Sequence, residues 1–235
     1  MALTIAAVLE DLALITRSGV TGSALMLITL LMTIACLAPT VIVLIYRRQL
    51  DGMVARLREA ATTDTLTALA NRRGLAERSP MLFSEAERSG GSVAVLLADI
   101  DHFKLYNDTH GHLRGDDVLR TVARLLRHSV RPADVVARLG GEELCIVTVL
   151  SDPADAAALA ERVRKTIEQD SGAVTVSLGV VTGLPQGGLR VDDQLWGMID
   201  AADALMYEAK QAGRNTARLQ TRPTNESLLA PPATV

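Results

Sequence analysis

Cysteine and histidine are scarce in this chain, and positive charge is not in excess. Its 235 residues hold two cysteines and four histidines and carry a net charge of −3. Two cysteines cannot form a disulfide framework, and their positions agree: Cys36 lies in a long apolar run and Cys145 in an apolar stretch of strand length. His102, His110, His112 and His128 lack the spacing of a metal site, so they read as structural or solvent-exposed. The charge balance leaves no electrostatic footprint for nucleic acid, which excludes it as a partner. No Gly-x4-Gly-Lys-Ser/Thr loop is present, so the chain is not a P-loop enzyme.

One property is present in excess. The mean hydropathy of +0.23 is high for a soluble protein, and its source is local. From Ser18 to Tyr46 no residue is charged, and Leu, Ile, Val and Met dominate. A helix needs about 20 apolar residues to cross a hydrocarbon core of ~30 Å, so this stretch can span a membrane with room to tilt. Pro39 should kink the helix, which membrane spans tolerate. A cleaved signal peptide fits poorly, because the run is too long and no small-x-small site precedes a mature start. Arg47, Arg48, Arg56 and Arg58 follow the span, whereas Glu10, Asp11 and Arg17 precede it. The positive-inside rule then places the carboxy-terminal bulk in the cytoplasm. Residues 1–17 would lie outside, too few for a folded sensory domain, with 18–46 in the membrane and 47–63 a linker or signalling helix. Leu50, Val54, Leu57 and Ala61 recur with the spacing of a short coiled-coil seam and equally suit a plain amphipathic linker.

Beyond the linker, Asp64-Thr65-Leu66-Thr67 is a turn signal before a helix that runs to about Arg88. Val93–Ala98 is a continuous apolar run, which predicts a central strand covered on both faces, ending in Asp99-Ile100-Asp101. After a polar stretch, Gly115-Asp116-Asp117 is expected to cap a helix whose stripe is Val118, Leu119, Val122, Leu125 and Leu126. Val135–Leu139 and Leu144–Leu150 read as strands joined by the turn Gly140-Gly141-Glu142-Glu143. A helix over 155–169, a strand over Val174–Val181 and a helix over 198–212 complete the pattern, and the proline-bearing residues 219–235 read as a disordered tail. Mixed helices and strands with one hairpin indicate an α+β or α/β sandwich with helices over a central sheet, placed at 64–218.

The acidic groups carry the chemistry. Asp99 and Asp101 end a central strand and Glu142 and Glu143 tip a hairpin, so the carboxylates converge if the hairpin neighbours that strand. Convergent oxygen donors without Cys or His suit Mg²⁺, which keeps waters and shares its shell with phosphates. Lys104, Lys210 and Arg214 supply cations, the last two one helical turn apart. Carboxylates for a metal plus Lys and Arg for charge is the equipment of phosphoryl transfer.

Six ordered motifs now resemble one family. The signature turn, Asp99-Ile-Asp-His-Phe-Lys104, Asn107-Asp108, Gly111-His112-x-x-Gly115-Asp116, Lys210-x-x-Gly213-Arg214-Asn215 and Asp64-x-Leu66-Thr67-x-Leu69-x-Asn71-Arg72-Arg73 together resemble the GGDEF-type diguanylate cyclases over about residues 62–217. The resemblance implies a palm-like nucleotidyl-cyclase sandwich with a mainly antiparallel central sheet and flanking helices. It implies condensation of two GTP into cyclic di-GMP with release of pyrophosphate, in a homodimer, in the bacterial inner membrane. By similarity Asp99, Glu142 and the backbone carbonyl of Ile100 would hold Mg²⁺, with Mn²⁺ as the alternative, and Glu142 or Glu143 would assist deprotonation of the ribose 3′-hydroxyl. Asn107 and Asp116 would read guanine, and Lys104, Lys210 and Arg214 would grip the triphosphate. Arg131-Pro132-Ala133-Asp134, five residues before Gly140 at its near end, resembles the RxxD site at which product inhibits, with Arg162 as a further contact. Two departures stand out: Leu144 replaces the usual Phe and Ala70 a common Pro, and neither removes a group the chemistry needs. A degenerate effector-binding domain would lack Asp99 or part of the acidic turn, and a mere scaffold would not need Asn107, Asp116, Lys210 and Arg214.

Overall fold

The computed structural model describes Glu10, Ala13 and residues 22–221. The expected extracytoplasmic segment therefore lies largely outside the described residues, as does the tail from 222 onward. The chain divides into two compact units, Met1–Arg58 and Glu59–Val235.

Helix α1 spans Gly22–Thr62 and includes Pro39. Among the described residues it is the one helix long and apolar enough to cross a membrane, by length and composition. Its Leu30, Leu37 and Leu44 side chains are exposed in the structure, as a lipid-facing surface requires.

The second unit is a five-stranded sheet with helices on both faces. In chain order its elements are α2 (Arg72–Ser89), β1 (Ser92–Ile100), α3 (Phe103–His110), α4 (His112–Ser129), β2 (Val135–Gly140), β3 (Glu143–Leu150), α5 (Asp155–Asp170), β4 (Val176–Gly183), α6 (Val191–Gln211) and β5 (Ala217–Thr221). The sheet order is β2-β3-β1-β4-β5, antiparallel except for the parallel β4–β5 pair. This is the mainly antiparallel α+β sandwich expected from the sequence.

β1 is buried along its whole length because each face has its own layer. Val93, Val95 and Leu97 pack with Leu82 and Phe83 of α2 and Met198 and Ala202 of α6. Ala94, Leu96, Ala98 and Ile100 pack with Val122 and Leu126 of α4 and Val163 and Ile167 of α5. The alternation of a strand thus sends successive residues into two different cores, and burying each Val or Leu contributes roughly 1.5–3 kcal/mol. Leu144 falls on the α4–α5 face and is fully buried. It packs on the face opposite Cys145, so replacing the family's Phe alters the core and not the acidic edge.

Three local expectations change. The polar stretch after β1 contains a helix, α3, with Phe103 as its buried anchor. Gly115 and Asp116 lie inside α4, which starts at His112 with Gly111 at its cap, instead of capping it. Residues 219–221, assigned to the tail, belong to β5 and pair with β4.

One close approach decides where α6 runs. A Cβ at Gly179 of β4 would meet the backbone carbonyl of Ala202 and the amide of Met206, so only glycine lets the helix lie on the strand here. Gly179→Ala should therefore push α6 outward and lower the urea-unfolding free energy by about 2 kcal/mol. An unchanged midpoint would show that α6 does not depend on this contact.

Candidate active site

Asp99, the eighth residue of β1, is one a buried strand seldom carries: a carboxylate continuing an apolar run into the mouth of the sheet. Its parity in β1 matches Val93, Val95 and Leu97, the face covered by α6. Across the ladder it stands opposite Glu143 of β3, and on its other side opposite Ser177 of β4. The expected convergence of the strand-end acid with the hairpin acids is therefore present, with Glu142 at the two-residue tip between β2 and β3. The tip needs one positive φ, supplied by Gly141 at 50°.

The partner of Asp99 is Lys210. Its Nζ lies 2.9 Å from Oδ2, with the lysine side chain 30% and the aspartate 10% exposed. Burial pushes the Asp99 carboxyl above the usual range; Lys210 opposes the rise, and the charges of Glu142 and Asp101 add to it. Glu143 is also held high, by burial first and then by Asp99 and Asp203, against the pull of Lys210. Asp203, on α6 seven residues before Lys210, was missed in the sequence, although two helical turns place the pair on one face. Acids raised by burial and by one another's charge in one place favour a cation beyond what one lysine supplies.

Asp101 adds its charge to this group, but its oxygens are committed elsewhere. Its carboxylate accepts from the hydroxyls of Thr175 at 2.7 Å and Ser177 at 2.6 Å and from the Asn215 amide at 3.0 Å. The strand ends at Ile100, and Ser177, which Asp101 grips, is the ladder partner of Asp99 on β4. Asp101 is a buried knot tying β1 to β4 and to the Gly213-Arg214-Asn215 turn. Ile100 buries its side chain and can offer only its backbone carbonyl.

The acidic tip is braced from behind. Arg138 of β2 donates through Nε to the Gly141 carbonyl at 2.8 Å and through Nη1 to both oxygens of Asp64 at 3.2 Å. Burial would raise Asp64, but the Thr67 hydroxyl and amide and the Arg138 guanidinium overcome it and hold the carboxyl below its ordinary value. Asn71 caps α2 by accepting from the Gly74 amide at 2.9 Å, and its Nδ2 donates to the Ala61 carbonyl. The motif at 64–73 thus fixes the turn and the start of α2 together.

Asn107 and Asp116 lie on α3 and α4, both half-buried. Asn107 Oδ1 is buried without a hydrogen-bond partner. It abuts Gly115, where a Cβ would collide with it. A buried acceptor left unpaired costs roughly 1–3 kcal/mol, which a donor brought to it would relieve. Lys104 is exposed on the first turn of α3. Arg214 is exposed at φ 65°, four residues after Lys210.

A second cleft, of about 320 Å³, brings together Arg131, Asp134 and Arg162, with Thr148 and Asp155 on its walls. Asp134 is buried and shapes the loop: it accepts from the Thr148 hydroxyl at 2.7 Å and the Arg131 amide at 2.8 Å. Arg127 clamps the same loop through the carbonyls of Asp134 and Pro132.

Among the described residues no three His, Cys, Asp or Glu side chains come together as a metal cage. What is present, hard oxygen donors at Asp99 and Glu142 beside a strand-end carbonyl, suits a hard divalent ion that takes its remaining ligands from water and phosphate.

The chain belongs to the GGDEF family: the profile of the "Diguanylate cyclase, GGDEF domain" matches residues 61–216. It is 35% identical over 212 residues to the bifunctional diguanylate cyclase/cyclic di-GMP phosphodiesterase MucR of Pseudomonas aeruginosa, covering 84% of this chain and 30% of that protein. It is 34% identical over 177 residues to the diguanylate cyclase VdcA of Vibrio cholerae, covering 71% of this chain and 49% of that protein. The chain thus spans half or less of the length of these relatives. Among solved structures it resembles the coiled coil and GGDEF domain of DgcB from Caulobacter crescentus in complex with c-di-GMP. That match has a TM-score of 0.64 at 30% identity and covers 79% of this chain and 98% of that one.

The crowding of acids has a measurable consequence. A carboxyl whose folded value is raised destabilises the fold above that value, and the penalty fades as pH falls through it to the ordinary glutamate value of 4.5. Glu143→Gln should therefore raise the melting temperature of the ligand-free protein at pH 7 by roughly 1–3 °C, a gain that vanishes below pH ~4.5. A lower melting temperature at pH 7 would show that Glu143 stabilises the turn instead.

Proposed function

We propose that the chain is a diguanylate cyclase that condenses two GTP into cyclic di-GMP and pyrophosphate. The observation that carries this reading is the placement of Asp99 directly opposite Glu143, with Glu142 at the adjoining tip and Lys210 at 2.9 Å from Asp99. The names of MucR and VdcA support the same activity.

In this reading Asp99, Glu142 and the Ile100 carbonyl hold Mg²⁺, or Mn²⁺ in its stead. The ion, when bound, polarises the reacting phosphate and neutralises its developing charge. Lys210 stands between the metal carboxylate and the triphosphate, so the same ammonium that pairs with Asp99 can turn to a phosphate oxygen. Lys104 and Arg214 grip the remaining phosphates, the guanidinium bidentately. Asn107 offers its unpaired Oδ1 to a guanine N–H, and Asp116 accepts from the N1-H and N2-H edge. Adenine would leave both acceptors unpaired, a rejection worth several powers of ten. Glu143, held high by burial and then by its acidic neighbours, is the better placed of the two glutamates to take the proton of the ribose 3′-hydroxyl, leaving Glu142 to the metal. Each freed 3′-oxygen attacks the α-phosphorus of the other GTP, so that two phosphodiester bonds form, two P–O bonds to the leaving groups break and two pyrophosphates leave. Each unit binds one GTP, so two must face each other, and the active species is a homodimer in which proximity and charge stabilisation do the work.

The cleft at Arg131, Asp134 and Arg162 is read as the inhibitory product site. Two arginines on one 320 Å³ cleft suit the two phosphates of cyclic di-GMP, and the DgcB structure holds that dinucleotide. The enzyme is placed in the bacterial inner membrane, spanning once in contact with lipid. Support comes from the exposed apolar surface of α1, and Arg47 and Arg48 put the catalytic unit on the cytoplasmic side.

Purified full-length chain in detergent, given GTP and Mg²⁺, should form cyclic di-GMP resolved by chromatography. Glu142→Ala should lower the rate by at least about 10²-fold without loss of fold. A dimeric wild-type sample that yields no product overturns the enzyme reading. Arg131→Ala should raise the product concentration for half inhibition by about tenfold or more, since a charged, desolvated contact is lost. Unchanged inhibition refutes the assignment of that cleft.

A further inference from the structure

We propose that Arg164 is a positioning residue for the triphosphate grip, acting through Asn215 on the turn that carries Arg214; this rests on the phosphate-binding role proposed for Arg214. Arg164 sits on α5, outside every motif of the active site, yet its side chain is only 13% exposed. Four of the five N–H groups of its fork are used. Nε and Nη2 meet the two oxygens of Glu161 at 2.9 Å each, and Nη1 reaches Glu168 at 2.9 Å and Asn215 Oδ1 at 2.7 Å. Glu161 and Glu168 flank it at helical spacing and fix its aim, which a planar guanidinium permits and a lysine does not. The pairing holds the Glu161 carboxyl down to about 2.

Asn215 is thereby held at three points. Its side-chain oxygen accepts from Arg164, its Nδ2 donates to Glu168 at 2.6 Å, and its backbone amide donates to Asp101 at 3.0 Å. The restraint has something to hold. Arg214 and Asn215 both lie in the left-handed region, at φ 65° and 45°, consecutive and neither a glycine. Two such residues persist only where their surroundings over-determine them. Asp101 supplies one anchor from β1, and Arg164 with Glu168 supplies the others from α5. Without Arg164 the turn keeps its main-chain tie to Asp101 and the Glu168 contact but loses the donor to Asn215 Oδ1, and Glu168 loses the guanidinium that fixes it, so the orientation of the turn is no longer set. Arg214 would then have to be ordered by the nucleotide at the moment of binding, which weakens affinity for the phosphates and leaves guanine recognition untouched.

The test is calorimetric titration of the full-length chain in detergent with Mg²⁺ and either 3′-deoxy-GTP, which lacks the attacking hydroxyl, or GMP. Arg164→Gln should weaken 3′-deoxy-GTP binding about tenfold while GMP changes less than about twofold. Asn215→Ala, which leaves the Arg164–Glu161 pair intact, should give the same pattern and decides the matter alone if Arg164→Gln does not fold. The double variant Arg164→Gln with Arg214→Ala should bind 3′-deoxy-GTP no more weakly than Arg214→Ala. Unchanged 3′-deoxy-GTP affinity in Asn215→Ala, or equal losses for both nucleotides, overturns the proposal. Arg214→Ala with undiminished 3′-deoxy-GTP affinity would instead overturn the phosphate-binding role of Arg214, whatever the Arg164 variants do.

Discussion

A buried carboxylate at the open end of a strand is an expense that needs a partner, and in this protein the partner is a single lysine. Asp99 continues the apolar run of β1 into the mouth of the sheet, and Lys210 of α6 meets it at 2.9 Å. Around that pair stand Glu142, Glu143 and Asp203, and their charges raise Asp99 and Glu143 instead of relieving them. One ammonium cannot neutralise such a group. The arrangement is stable enough to fold and remains short of positive charge, which is the condition for drawing in a divalent ion and a polyphosphate.

The rest of the fold serves to keep that shortage in place. β3 brings the hairpin acids level with Asp99, and Arg138 ties the hairpin tip to Asp64 so that repulsion cannot splay it. Gly179 lets α6 lie against the sheet, which carries Lys210 to the strand end. Asp101 lends the acidic group its charge but no free oxygen, because its carboxylate is committed to Thr175, Ser177 and Asn215. Two carboxylates separated by one residue are therefore held differently, one by a lysine at the strand end and one locking the frame.

Much of this is legible in the sequence because period and burial leave plain marks. The unbroken apolar run of β1, the stripe of α4 and the paired glycines of the hairpin each follow from a face that must be buried or a turn that must be made. α3 leaves no such mark: Phe103 is its one buried residue, so its pattern reads as polar loop. β5 is a short, mostly exposed edge strand held by main-chain pairing to β4, which side-chain pattern does not record. Asp101 shares the parity of Asp99 and reads as one of the converging carboxylates, and only its bonds to Thr175, Ser177 and Asn215, which leave no mark in the sequence, commit it to the frame. The charged stripe Glu161, Arg164 and Glu168 reads as a solvated helix face until Asn215 is seen to complete it.

If Asp99 and the hairpin glutamates hold a metal together with a guanine nucleotide, Mn²⁺ should bind there, as followed by electron paramagnetic resonance in the full-length protein with 3′-deoxy-GTP present. A bound Mn²⁺ signal is expected in the wild type and should weaken at least about tenfold in Asp99→Asn. Equal Mn²⁺ binding by the two proteins would contradict it.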